Sequence, residues 1–267
     1  MMSKFDPKEE GRKVAFVTLL TDDKYFDGVS VLLKTLFKNN KCEGIMRVCL
    51  VDETRVHKTT LKRLGALCDD VVCVPPLVHI AATKENSDTI ESEKKPSWES
   101  SEMTKLHIWN LTEYEQVFYI DADCMVVGNI EHMFKETEDV DFAAAPDVFP
   151  PDRFNAGVMI IKPSAERFAD LCQALHTLPS YDGGDTGFLN EYFGDWYSGC
   201  AASRLPYAYN CQRILYWFTH EKRPGYWDSI RDKKIIHFSS SPKPWEQTMT
   251  TVRGDLELQW WLALMER

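Results

Sequence analysis

Strand-length apolar runs alternate with amphipathic segments between residues 14 and 74, and this alternation constrains the fold more than any other feature. Val14-Ala15-Phe16-Val17-Thr18-Leu19-Leu20 is a nearly unbroken apolar run, closed by the turn Thr21-Asp22-Asp23. Val29 to Phe37 then sets Val29, Leu32, Leu33 and Leu36 on one helical face. Met46 to Val51 reads as a second strand, Thr59 to Leu67 as a second helix and Val71 to Val74 as a third strand. The order β-α-β-α-β predicts a parallel sheet covered by helices. A chain of 267 residues can hold one large α/β domain or two small ones. With no internal repeat and no separating linker, one domain is expected. Ligands of such sheets sit at the carboxyl ends of the strands. No G-x-G-x-x-G follows the first strand, which disfavours a dinucleotide fold.

The pattern breaks between Pro75 and Thr104. Thr83 to Ser101 is dense in Lys, Glu and Ser, and a loop this long predicts a lid over residues 75–104, with Trp98 as an apolar anchor. Met103 to Asn110 reads as a helix. Val117 to Ile120, Phe142 to Ala145, Gly157 to Ile161 and Lys234 to Phe238 read as strands, and Ala165 to His176 and Gly187 to Tyr192 as helices. Asp255 to Met265 is expected as a helix within a terminal segment 250–267, whose Trp260 and Trp261 need packing partners and hint at a homodimer. Residues 1–12 read as a polar tail before a single domain over 13–267.

The net charge of -10 argues against a general nucleic-acid binder, which needs a basic stripe. No apolar run approaches membrane-spanning length and the N-terminus lacks a secretory h-region. The eight cysteines are scattered without a C-x-x-C pair, so reduced packing residues of a cytoplasmic protein are expected rather than a zinc site.

Asp121-Ala122-Asp123 ends the apolar run Val117 to Ile120. Asp is a poor strand former, and an unpaired buried charge is costly, so the pair needs a cationic partner. Taken alone, the tripeptide is open between a divalent-metal site gripping a diphosphate and a turn in which one Asp caps a helix.

Four further segments bear on that choice: Thr104-Lys105-Leu106-His107-Ile108-Trp109, Phe154-Asn155-Ala156-Gly157, Asp182-Gly183-Gly184-Asp185-Thr186-Gly187, and His237-Phe238-Ser239-Ser240-Ser241-Pro242-Lys243-Pro244-Trp245. With Asp-x-Asp, in this order from about Val14 to Trp245, they resemble the glycogenin-like branch of the family 8 nucleotide-sugar glycosyltransferases. The resemblance implies a single-domain α/β GT-A fold with a mostly parallel, Rossmann-like central sheet. It also implies Mn²⁺-dependent transfer of a hexose from a UDP-sugar with retention of configuration.

By position, the resemblance makes Asp121, Asp123 and His237 metal ligands, with Ala122 against the ribose. Two carboxylates, an imidazole and diphosphate oxygens suit six-coordinate Mn²⁺. Lys243 corresponds to the lysine on the β-phosphate and Ser240 to a phosphate-loop residue. Lys105 faces the donor, and Asn155, Ala156, Asp182 and Thr186 line the sugar. Asp185 stands nearest the anomeric carbon, as nucleophile or as electrostatic stabiliser. Leu19, Thr21, Asp22 and Tyr25 match the uracil segment, with Tyr25 stacking on the base.

The departures concern acceptor and donor. Ser240 replaces a glycine, Thr186 a glutamine and Asp22 an asparagine. Trp217 falls where glycogenin carries its self-glucosylated tyrosine, Tyr216 is one residue off, and the long glycogenin tail is missing. A separate acceptor is therefore expected. Tyr216, Trp217, Trp227 and Trp245 are candidates for an aromatic glycan platform, with core packing as the competing role. The Ser-Ser-Ser-Pro-Lys-Pro-Trp variant resembles the protist cytoplasmic α-1,3-galactosyltransferases that extend a hydroxyproline-linked glycan on a ubiquitin-ligase adaptor. Self-glucosylation, transfer to inositol and a non-catalytic UDP-sugar-binding module are the other readings.

Overall fold

The computed structural model describes residues 12–81, 102–219, 224–247 and 254–266. The expected lid residues 82–101, with Trp98, and residues 1–11 of the expected tail lie outside them. Strands β1 (Val14–Leu20), β2 (Ile45–Asp52), β3 (Asp70–Val74), β4 (Gln116–Ile120), β6 (Phe142–Pro146) and β7 (Phe154–Ile161) form a six-stranded sheet in the order β3-β2-β1-β4-β7-β6. The pairings from β3 to β4 are parallel, as the alternation predicts, whereas β7 and β6 join antiparallel.

β1 is buried along its whole length because both faces of the sheet are covered. Val14, Phe16 and Leu20 enter one core with helix α1 (Phe26–Asn39), while Ala15, Val17 and Leu19 enter a second core on the opposite face. α1 buries Val29, Leu32, Leu33 and Leu36, the stripe set by 3.6-residue spacing. Helix α2 (Lys58–Leu64) follows β2. The segment predicted as a helix before β4 is a 3₁₀ helix, Glu102–Asn110; Met103 to Trp109 are all buried, so it has no polar face to give an amphipathic period.

β5 (Cys124–Val126), β8 (Cys211–Gln212) and β9 (Ile235–His237) form a second sheet in the order β5-β9-β8. The short helix α3 (Met133–Glu136) follows β5; α4 (Ala165–Ala174) and α5 (Asp185–Tyr192) follow β7; α6 (Arg213–Thr219), α7 (Tyr226–Ser229) and α8 (Asp255–Met265) complete the chain. Trp260 of α8 is fully buried and packs within the chain, its ring 5.7 Å from Trp245 and 5.4 Å from Trp261. The Trp pair therefore finds partners internally and gives no support to a dimer.

Candidate active site

Asp121-Ala122-Asp123 is the crossing point between the sheets. β4 ends at Ile120 in the large sheet and β5 begins at Cys124 in the small one. The Asp121 amide donates to the Gly157 carbonyl at 2.8 Å, which pins the crossing to β7. Antiparallel pairing sets Cys124 opposite His237, and the Phe238 amide donates to the Asp123 carbonyl at 2.9 Å. This register brings the His237 imidazole to the two acids: Nε2 lies 3.1 Å from Asp123 Oδ1 and 4.0 Å from Asp121 Oδ2. Gly157 makes room for the ring, since a Cβ there would sit 2.2 Å from His237 Cε1.

His237 Nδ1 lies 2.8 Å from Asn210 Oδ1, and the Asn210 amide donates to Asn155 Oδ1 at 3.0 Å. The Asn210 oxygen can only accept, so Nδ1 carries the hydrogen and Nε2 faces the carboxylates. A lone pair and two acids converging in a buried place suit a hard cation. Cys124 is also within ligand range of Asp123 and His237. Burial, with Asp123 adding to it, holds its thiol well above the usual range.

Each acid is flanked by a lysine. Lys243 Nζ is 2.5 Å from Asp123 Oδ2 and donates to the Phe238 and Ser239 carbonyls at 2.9 and 3.2 Å. Burial alone would raise the Asp123 carboxyl; Lys243 and His237 outweigh it and hold the group well below the ordinary carboxylate range. Lys105 is buried, not a surface lysine. Its Nζ lies 3.0 Å from Asp121 Oδ1, donates to the Ala156 carbonyl at 3.2 Å and pairs with Asp185. Burial would lower its affinity for a proton, but Asp121 and Asp185 raise it overall. Burial raises the Asp185 carboxyl in turn, against the pull of Lys105.

The sugar-side candidates are less uniform. Asn155 is half-buried beside His237 through Asn210. Asp182, expected at the sugar, is exposed; its Oδ1 accepts from Ser180 Oγ and from the Gly184 and Gly187 amides, so this oxygen organises the turn into α5. Gly183, at φ 77°, makes that turn possible. Thr186 Oγ1 accepts from the Ala156 amide at 3.1 Å, which ties α5 to β7.

At the first strand's end, Leu19 is buried and Thr21 half-buried. Asp22 accepts from the Lys24 amide and pairs with Arg55 at 3.4 Å, so its carboxylate is engaged within the fold. Tyr25 packs edge-on against Trp245, ring centroids 5.2 Å apart, and burial raises its phenol. Ser240 lies in the loop before Lys243 without a positive φ, so the loop tolerates serine where glycogenin has glycine.

The aromatic platform is not formed. Tyr216 and Trp227 are buried against one another, Trp245 lies between Tyr25 and Trp260, and Trp217 is half-buried beside Arg213. Core packing is the role these rings take. Three residues outside the predicted set also matter. Tyr119 donates to Asp121 Oδ1 at 2.5 Å, Asn210 orients His237, and Glu102 sits over Gly184 with its carboxyl raised to about 8 by burial and by Asp185. Glu102 lies two residues before Thr104, just outside the recognised segment; neither Tyr119 nor Asn210 carries a signal of its own.

The acidic crossing lies at the carboxyl end of a parallel strand, facing an imidazole and two lysines, and ligands of α/β sheets bind at such strand ends. The profile of Glycosyl transferase family 8 matches residues 16–249, and the chain belongs to that family. It is similar to Glycogenin-1 of Mus musculus, 34% identical over 234 residues, covering 88% of this chain and 66% of that one. It is likewise similar to Glycogenin-1 of Homo sapiens, 33% identical over 234 residues, covering 88% and 63%. The chain spans about two-thirds or less of the length of these two relatives. Its backbone follows the glycosyltransferase GlyE of Streptococcus pneumoniae with a TM-score of 0.62 at 21% identity, over 96% of this chain and 61% of that one. The fold is thus that of the GT-A glycosyltransferases.

Proposed function

We propose that the chain is a Mn²⁺-dependent retaining hexosyltransferase using a UDP-sugar. The observation that carries this reading is the convergence of Asp121, Asp123, His237 and Lys243 from distant stretches of sequence. Asp121, Asp123 and His237 would hold the metal, which would supply positive charge to neutralise the diphosphate. Lys243 meets the β-phosphate, where charge grows as the C1–oxygen bond of the donor breaks. A new C1–oxygen bond to the acceptor forms on the same face, the acceptor hydroxyl passes its proton to the departing β-phosphate oxygen, and UDP leaves. Asp185, its carboxylate held by Lys105, stands nearest the anomeric carbon.

Likeness to the glycogenins favours glucose as the donor sugar and a glycogenin-type transfer. Tyr216 is a poor self-acceptor because it is 7% exposed, whereas Tyr181, Tyr197 and Tyr226 are open to solvent among the described residues. A second reading, galactose transfer to a glycan on a cytoplasmic protein, rests on the Ser239-to-Trp245 variant and on Thr186. No helix among the described residues is long and apolar enough to cross a membrane.

The test is UDP release from UDP-glucose and UDP-galactose with Mn²⁺, together with the intact mass of the protein. Faster release from UDP-glucose with added hexose mass supports the glycogenin-type reading. Preference for UDP-galactose with unchanged mass supports the second. No release above background from any UDP-hexose, with or without acceptors including inositol, overturns both in favour of a binding module.

A further inference from the structure

Arg213 has no part in the chemistry above, yet it has no exposed side-chain surface, and neither does its partner Glu257 on α8. Burying a guanidinium and a carboxylate costs several kcal/mol per ion, and such pairs are weak evidence for stability. What the guanidinium holds is specific. Nη1 donates to Glu257 Oε1 at 3.1 Å. Nη2 donates to the Ser240 carbonyl, to Ser240 Oγ at 3.1 Å and to the Pro242 carbonyl at 2.9 Å, and Nε reaches Ser240 Oγ at 3.4 Å. The group lies 4.3 Å from the Trp217 ring centroid and 5.4 Å from that of Phe238.

All the loop acceptors lie between His237 and Lys243. The loop's start is fixed by Phe238 bonding to Asp123, and at its end the Lys243 amide donates to Glu246 Oε2 at 2.7 Å. Its middle is gripped by Arg213. A planar fork that binds two carbonyls and a hydroxyl while its far side is neutralised by a fixed carboxylate sets a backbone shape, which a lysine's point charge does not.

We propose that Arg213, anchored by Glu257 of the C-terminal helix, is a positioning residue for Lys243. It fixes the 238–243 loop so that the ammonium meets the donor diphosphate without reorganisation. This rests on the diphosphate role given to Lys243 above.

The test replaces the pair by apolar side chains, Arg213→Met with Glu257→Met, so that no buried charge is left alone. The expected Tm is within about 3 °C of wild type, because apolar replacement of a buried pair is tolerated. The expected kcat for UDP release falls about tenfold or more, and the pair substitution added to Lys243→Met causes little loss beyond that of Lys243→Met alone, because the residues act through one group. Amide hydrogen exchange in the peptide spanning 238–243 rises in the pair variant. Should the pair variant fail to fold, Arg213→Lys keeps the charge and loses the fork, and the same rise in exchange and drop in kcat are expected. A folded variant with wild-type kcat and unchanged loop exchange overturns the proposal, as do losses that multiply with Lys243→Met. If wild type releases no UDP, the functional reading fails, while the exchange comparison still decides whether Arg213 shapes the loop.

Discussion

Two lysines stand on either side of the acidic crossing, and they are held in different ways. Lys105, on the six-stranded side, is fixed by Asp121, Asp185 and the Ala156 carbonyl. Lys243, on the three-stranded side, has one carboxylate partner, Asp123, and two carbonyls of its own loop. The first lysine neutralises two acids that would otherwise repel across the cleft. The second sits on a loop, with an acid that a metal can take over as partner. The difference fits Lys105 as a residue that holds the site together and, on the function proposed above, Lys243 as the one that meets the diphosphate.

Substitutions can break that contrast. The largest effect is expected from Asp123→Ala, which removes an acid shared by His237 and Lys243. Metal-dependent donor hydrolysis should fall by about a thousandfold or more with the fold intact by circular dichroism, and retained activity would refute the ligand role. Lys243→Ala should lower kcat about a hundredfold while UDP-sugar affinity changes less, as steady-state kinetics and calorimetry would show; an effect confined to binding would contradict it. Lys105→Met leaves two half-buried acids without their cation and should cost about 2 kcal/mol in urea unfolding. Equal stability losses for Lys105→Met and Lys243→Ala would erase the distinction.

The smallest effect concerns Glu102. Its carboxyl ionises near 8 in the fold, against an ordinary value of 4.5. The unfolded chain therefore gives up this proton first, and wild type loses stability as the pH rises through that window. Glu102→Gln should match wild type in thermal melts at about pH 4.5 and be the more stable of the two above about pH 8. A gap that does not change with pH would show that Glu102 is not held protonated.

The same two halves differ in how far the sequence reveals them. β1 to β3 and their helices are legible because each is a local pattern: a strand-length apolar run or a 3.6-residue stripe. Asp121 and Asp123 stand out because charge interrupts such a run. Of the small sheet only β9 shows in a local pattern, as the run Lys234 to Phe238, whereas β5 spans only Cys124–Val126 and β8 only Cys211–Gln212. The sheet's decisive feature, the register of Cys124 opposite His237, joins residues far apart in the chain. His237 and Lys243 could be placed only through motif resemblance. Burial of Lys105, the Glu102 carboxyl and the grip of Arg213 on Ser240 arise from tertiary packing and leave no periodic trace. The aromatic platform failed for the same reason: Tyr216 packs against Trp227, and Trp245 against Tyr25 and Trp260, in a cluster that composition alone cannot distinguish from a sugar-binding surface.

Manganese uptake in the presence of UDP, followed by the electron paramagnetic resonance of the free ion, tests the central claim most directly. The convergence of Asp121, Asp123 and His237 predicts saturable uptake at one site in the wild-type protein, lost in both Asp123→Ala and His237→Ala. Uptake that persists unchanged in both folded variants, or no uptake by wild type, would contradict it.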